Sequence, residues 1–183
     1  MPESEDELGL VSVYWGDGKG KTTAALGMAL RALGHGLRVH LIQFFKGGSK
    51  SGFQEYGELL ALRRFERFSV EQFGISDWIV GQPTEEQREV GRRALEAAER
   101  AISSREYDLV ILDEILYAIS LKVLKVEDVL KLLERKAPHT EAVLTGSHRR
   151  LPEIEAVADL VTEVRKVKHP YDQGIKARKG IEY

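Results

Sequence analysis

The sequence predicts a three-layer α/β fold with a mainly parallel sheet, and three observations carry that expectation. Short β-rich apolar runs alternate with stretches whose apolar residues recur at helical spacing. The first such run is joined to the first helix by a glycine loop, and a later one ends in two acids, Asp113 and Glu114. In sheets of this kind ligands bind beyond the carboxyl ends of the strands.

Residues 10–14 read as the first strand, and 22–33 repeat small and apolar residues at helical spacing before Gly34 stops them. A second strand over 38–45 follows after a short turn, closing a βαβ unit whose strands are expected to be parallel and buried. Residues 46–52 read as a flexible glycine-serine loop. Residues 53–83 carry the weakest pattern, with a short helix near 55–60 and a strand at 63–70. Thr84 is placed to cap a helix running to about Ser103, with Glu85 and Glu86 in its first turn. A strand over 107–114, an amphipathic helix over 126–136, a strand at 141–145, a short helix at 154–158 and a last strand at 160–164 complete the series. No internal repeat, linker or second domain is visible, so residues 10–183 are expected to form one domain behind a flexible acidic head, residues 1–9.

Composition bounds the chemistry. The chain has 183 residues, 43% hydrophobic and 31% charged, which suits one core with a solvated surface and excludes disorder as the dominant state. It has no cysteine, which removes disulfides, thiolate zinc sites, iron–sulfur clusters and a cysteine nucleophile. Lys and Arg number 27 against 29 Asp and Glu, a net charge of −2 that lacks the basic bias of wholesale nucleic-acid binding. The acidic start is unlike a signal peptide, and no apolar run approaches the roughly 18 residues of a membrane span. A cytoplasmic protein bound to neither membrane nor nucleic acid is expected.

The segment Trp15-Gly16-Asp17-Gly18-Lys19-Gly20-Lys21-Thr22-Thr23 lies between the first strand and the first helix, where a phosphate-binding loop belongs. Glycines let backbone N–H groups converge on phosphate oxygens, and the helix N-terminus adds positive potential. Lys21 supplies a point charge, is expected to face solvent in the empty loop, and is followed by Thr22, whose hydroxyl can hold Mg²⁺. The usual first glycine of the pattern is replaced by Trp15, and Gly16, Gly18 and Gly20 are expected to compensate. Asp113 and Glu114, after four apolar residues, fit the acid pair that accompanies such a loop, either one reaching the metal directly or through water. Together these features specify a P-loop NTPase-like (RecA-like) fold and an ATP site over residues 16–23.

The run from Gly16 through Gly27, then Gly34-His35-Gly36, Val39, Gln43-Phe44 and Lys46-Gly47, resembles the P-loop type of ATP:corrinoid adenosyltransferase. So do residues 108–114, Leu144-Thr145-Gly146, residues 158–163 and the ending from Val167-Lys168-His169-Pro170-Tyr171 to Gly180-Ile181-Glu182-Tyr183, which ordinary ATPases have no reason to carry. The resemblance implies transfer of the 5′-deoxyadenosyl group of ATP to Co(I) of a reduced corrinoid, with release of tripolyphosphate. It implies ATP lying in the loop in the reverse of the usual direction, Mg²⁺ or Mn²⁺ held by Thr22, Asp113 and Glu114 with Glu114 the favoured acid, and Lys21 and Glu114 in catalysis. The nucleophile then belongs to the substrate, in keeping with the lack of an obvious protein nucleophile.

Two departures from the family pattern stand out. About ten residues precede the first strand, where longer members have a segment covering the corrinoid. Where those members carry a Gly-Phe-Thr-Trp-type run, this sequence reads Phe73-Gly74-Ile75-Ser76-Asp77-Trp78, making Phe73 and Trp78 candidates for corrinoid contact or for core and interface packing. A homodimer, or closure by residues 47–52 and 73–80, is expected to complete the corrinoid site, and an external reductase to supply the electron. The five histidines show no metal-ligand spacing; His169 and the basic tail around Lys166, Lys168 and Lys176 are candidates for lining the site. The competing readings are a P-loop ATPase or kinase, which would make ADP or a phosphorylated acceptor, and a nucleotide-dependent corrinoid carrier without turnover.

Overall fold

The computed structural model describes residues 8–46, 56–75 and 79–182. The acidic head through Glu7, the glycine-serine loop from Gly47 onward, and Trp78 lie outside the described residues.

Six strands form one sheet in the order β3-β2-β4-β5-β1-β6, with every neighbouring pair parallel. They are β1 (Val11–Trp15), β2 (Val39–Phe44), β3 (Phe68–Phe73), β4 (Leu109–Asp113), β5 (Glu141–Thr145) and β6 (Leu160–Glu163). The helices are α1 (Lys21–Gly34), α2 (Gly57–Leu62), α3 (Glu85–Ser103), α4 (Ile115–Ser120), α5 (Val126–Glu134) and α6 (Pro152–Glu155), followed by a 3₁₀ turn at Pro170–Gln173. The parallel α/β architecture expected from the sequence is thus present. The strands of the first βαβ unit are parallel and buried but not adjacent, since β4 and β5 lie between them.

Successive strand residues point to opposite faces, and the apolar ones sort accordingly. Val39, Leu41, Leu109, Ile111 and Val143 pack with Ala25, Ala29 and Leu33 of α1 and Leu59 and Leu62 of α2. Ile42, Phe44, Val110, Leu112, Ala142 and Leu144 pack on the other face against α3, α4 and α5. The same alternation, carried to the strand ends, sets Gln43, Asp113 and Thr145 on the α1 face. It thereby delivers buried polar side chains beside the start of α1. On the opposite layer α3 begins with a capping box: Gln87 N–H donates to Thr84 Oγ1 at 3.2 Å and Thr84 N–H to Gln87 Oε1 at 2.9 Å. Its Ala94, Ala97, Ala98 and Ala101 are buried, small side chains that let the helix press on the sheet.

Two elements differ from expectation. The strand anticipated at 63–70 lies at Phe68–Phe73, because Arg63, Arg64, Glu66 and Arg67 are exposed and offer no face to bury until Phe68. The helix α4 was not expected at all. Its sequence, Ile-Leu-Tyr-Ala-Ile-Ser, is apolar almost all round and has no amphipathic period, and the chain enters it through Glu114 in a left-handed conformation, φ 67°.

Candidate active site

The glycine loop joins β1 to α1 at the carboxyl edge of the sheet. Gly20 precedes the helix with φ 120°, a conformation that L side chains rarely adopt, although a Cβ there would meet nothing within 4 Å. Gly16 shares that conformation, φ 123°, and it and Gly18 meet a second constraint. A Cβ on Gly16 would lie 2.2 Å from the carbonyl oxygen of Val164, and one on Gly18 would lie 2.7 Å from the carbonyl carbon of Arg165. Gly16 N–H donates to the carbonyl of Ser147 at 2.9 Å, and Gly18 N–H to that of Val164 at 2.7 Å. Lys166 N–H donates to Asp17 Oδ1 at 2.9 Å. The chain after β6 is therefore the back wall of the loop.

Of the three glycine amides expected to shape the loop, two are spent on the protein. Those of Lys19, Gly20, Lys21, Thr22 and Thr23 have no acceptor among the described residues. They form the available anion-binding face at the N-terminus of α1. Lys21 differs from expectation, being half-buried and not solvent-facing. Its ammonium group donates to the carbonyls of Gly16 at 2.6 Å and Gly18 at 2.9 Å. Three ammonium donors seek acceptors, and the nearest are carbonyls that the tail-bound loop turns inward. Burial pushes the Lys21 pKa below its usual value against the opposing pull of Glu114, Asp17 and Asp113.

Asp113 is fully buried and its hydrogen bonds are complete. Its Oδ1 accepts from Thr22 Oγ1 at 2.8 Å and Thr145 Oγ1 at 2.7 Å. Its Oδ2 accepts from Gln43 Nε2 at 3.0 Å and Lys46 Nζ at 2.7 Å. Two oxygens with two lone pairs each are thereby filled. Burial pushes this carboxyl up, but the Lys46 charge and hydrogen bond, with those of Thr145 and Thr22, hold it below the usual carboxylate range. Gln43 is itself fixed by Gln72 Nε2, which donates to its Oε1 at 2.9 Å from the edge strand. Lys46 also lies 3.5 Å from Thr22 Oγ1 and 5.8 Å from the centre of the Tyr56 ring.

Glu114 lies one residue beyond the strand in a contrasting environment. Its N–H donates to Thr145 Oγ1 at 3.0 Å, and its carbonyl accepts from Tyr117 and Ala118 to start α4. Its carboxylate accepts no hydrogen bond among the described residues. Burial, and then the Asp113 charge, push its pKa up, with Lys46 and Lys21 pulling the other way. A Cβ on Gly146 would stand 3.2 Å from Glu114 Oε2, so this glycine leaves the acid its space.

Thr22, Asp113 and Glu114 bring hard oxygen donors together, the chemistry that suits Mg²⁺ or Mn²⁺. Among the described residues no group of three His, Cys, Asp or Glu side chains could form a metal cage by itself. Thr22 donates its hydroxyl hydrogen bond to Asp113 and keeps oxygen lone pairs. Glu114 keeps both carboxylate oxygens, and the residues present fit such an ion.

Of the aromatic candidates, Phe73 ends β3 half-buried against the α3-side core, on the opposite face of the sheet from Asp113. Trp78 is outside the described residues. His40 is structural: its Nδ1 pairs with Ser69 Oγ at 2.7 Å and its ring stacks on Tyr107 at 4.6 Å. His148 stands edge-on to Tyr117, ring centres 5.1 Å apart. His169 accepts from Tyr171 N–H at 3.0 Å, capping the 3₁₀ turn. Lys46, Gln43 and Gln72 belong to the site although the sequence pattern marks none of them as a site residue and places Lys46 in a loop. The signal that could have found Gln43 is its period-two position after Val39 and Leu41, where an apolar residue is due.

A parallel sheet of this order, with a glycine loop leading from β1 into α1 and an acid pair at the end of β4, separated from β1 by β5, defines an α/β protein of the P-loop nucleotide-binding class. Residues 7–183 match the family described as ATP:corrinoid adenosyltransferase BtuR/CobO/CobP, and the chain belongs to that family. It is 35% identical over 193 residues to the corrinoid adenosyltransferase of Escherichia coli strain K12, the match covering 100% of this chain and 90% of that one. It is 36% identical over 192 residues to the corrinoid adenosyltransferase CobA of Salmonella typhimurium, again with 100% and 90% covered. A corrinoid adenosyltransferase of Sinorhizobium is 37% identical over 187 residues, with 100% of this chain and 84% of that protein covered.

Proposed function

We infer that this protein is a transferase that adenosylates corrinoids, moving the 5′-deoxyadenosyl group of ATP to Co(I) of a reduced corrinoid and releasing tripolyphosphate. One observation carries the reading. A phosphate loop and acid pair in direct contact, Thr22 Oγ1 to Asp113 Oδ1 at 2.8 Å, lie in a chain that matches the family over residues 7–183.

The leaving group is a polyphosphate, so catalysis consists of holding it and neutralising the charge it gains as the C5′–O bond breaks. The amides of Lys19 through Thr23 face the phosphates at the helix N-terminus. Lys21 exchanges its bonds to the Gly16 and Gly18 carbonyls for bonds to phosphate oxygens. Thr22 and Glu114 would hold Mg²⁺ or Mn²⁺, while Asp113 orients the Thr22 hydroxyl by accepting its hydrogen bond. Such an ion supplies Lewis-acid neutralisation of the departing triphosphate. Phe73, whose buried part packs in the α3-side core, and Trp78 are the candidates for corrinoid contact that the family resemblance supplies, and one domain over residues 10–183 carries the whole site. A homodimer, an external reductase that makes Co(I), and a cytoplasmic setting complete the proposal; among the described residues no helix is long and apolar enough to cross a membrane.

Anaerobic incubation with ATP, Mg²⁺ and chemically reduced cobalamin tests this. A light-sensitive Co–C product and a tripolyphosphate signal in the phosphorus NMR spectrum are expected; ADP and phosphate without that product would overturn it.

A further inference from the structure

The chain after β6 does more than back the phosphate loop. Between the loop and the tail lies a cleft of about 270 Å³, whose walls carry Lys19 from the loop and Lys166, Lys168, His169, Tyr171 and Lys176 from the tail. The tail is registered to the loop by two contacts, Gly18 N–H to the Val164 carbonyl at 2.7 Å and Lys166 N–H to Asp17 Oδ1 at 2.9 Å. The cleft thus abuts the loop, and Lys19 belongs to both.

Its charges are unbalanced. Lys166 is paired with Asp172 at 3.1 Å, and Glu182, the acid on the cleft wall, is paired with Arg178 at 3.0 Å. Lys19, Lys168 and Lys176 have no ion-pair partner among the described residues. His169 spends its Nδ1 accepting the Tyr171 N–H, which leaves Nε2 as the protonated nitrogen, a donor. A chain of net charge −2 therefore gathers around a small concavity beside its triphosphate loop an imidazole N–H and three ammonium groups that form no ion pair among the described residues. Donors concentrated around a single wall acid that is already paired are suited to phosphate oxygens.

We propose that this cleft is an anion subsite that takes the terminal phosphates of an oligophosphate whose remaining phosphates lie in the loop. The proposal rests on the reading of the loop as the triphosphate site. Those terminal phosphates belong either to the bound nucleotide or to free tripolyphosphate held after transfer, and the chemistry of recognition is the same.

Calorimetric titration of the full chain with tripolyphosphate, ATP and adenosine tests it, comparing wild type with Lys168→Ala/Lys176→Ala. Both lysines are exposed, so the fold is kept, and an unchanged melting temperature checks that. Tripolyphosphate affinity is expected to fall about tenfold in the double variant. A matching fall for ATP assigns the cleft to the nucleotide, and a fall for tripolyphosphate alone assigns it to the free product. Lys125→Ala/Lys131→Ala, which removes the same charge from around α5, is expected to change neither. Unchanged tripolyphosphate affinity in the tail variant, an equal loss in the α5 variant, or a loss confined to adenosine would overturn the subsite. Lys21→Ala separates the two readings: if it weakens ATP and tripolyphosphate binding while the tail variant weakens neither, the loop assignment stands and the cleft assignment falls.

Discussion

Asp113 and Glu114 are adjacent in sequence and chemically alike, yet one is locked and the other open. Asp113, the last residue of β4, points to the α1 face, where four donors fill its two oxygens. Glu114 turns out of the strand at φ 67° and accepts no hydrogen bond on its carboxylate among the described residues. Burial works against both charges, but Asp113 has Lys46 in direct contact whereas Glu114 has the negative Asp113 beside it. The difference teaches which acid belongs to the architecture and which is available to a metal or substrate.

The largest test of that contrast is to unlock Asp113. Lys46→Met leaves a fully buried carboxylate without its cation, and breaking a buried pair in this way costs about 3–5 kcal/mol. Urea unfolding is expected to show a loss of that size; a loss under about 1 kcal/mol would mean that the hydroxyl and amide donors suffice alone.

Glu114→Gln should do the reverse, costing little stability, within about 0.5 kcal/mol, while lowering adenosyl transfer by about a hundredfold or more. Full activity in that variant would return the metal role to Asp113. Lys21→Ala comes next: ATP affinity is expected to fall by about 10–100-fold in direct binding, the worth of hydrogen bonds to charged groups. Because Lys21 also ties together the Gly16 and Gly18 carbonyls, a modest loss of stability, about 1 kcal/mol, should accompany it.

The smallest effect is in pH. The Asp113 carboxyl is held below its ordinary value of 3.8, so its contribution is present above that value and is lost as pH falls through the lower folded one. The Glu114 carboxyl is raised above 4.5, so its contribution is full below that value and is lost as pH rises through the higher folded one. Unfolding measured across the acid range should therefore show Glu114→Gln gaining on wild type as pH rises through that upper window. Parallel curves would remove the contrast.

Much of this was legible in the sequence. Alternating strands and helices, the phosphate loop and the acid pair are contiguous patterns whose periods and spacings survive without neighbours. Lys46, Gln43 and Gln72 are different, because they meet Asp113 only when Gln43 pairs in register with Asp113 on one side and Gln72 on the other. Gly16 and Gly18 are legible as glycines between the first strand and helix, but the backbone pressing on them comes from Val164 and Arg165, nearly the whole chain away. The displacement of β3 to Phe68 has the same origin: a charged run hides a strand edge that only its partner Val39 defines.

The position of β1 within the sheet also governs when the nucleotide site can come into being. Its two hydrogen-bonded neighbours are β5 and β6, and the bond from Val11 N–H to Asp159 Oδ2 spans 148 residues of sequence. Loops of that length must close before the strand carrying the phosphate loop is held on either side, which makes this a late and slow event in folding. On a ribosome this strand emerges before either of its sheet neighbours. Nucleotide can stabilise the finished protein by mass action, but the topology gives it no half-built site to rescue.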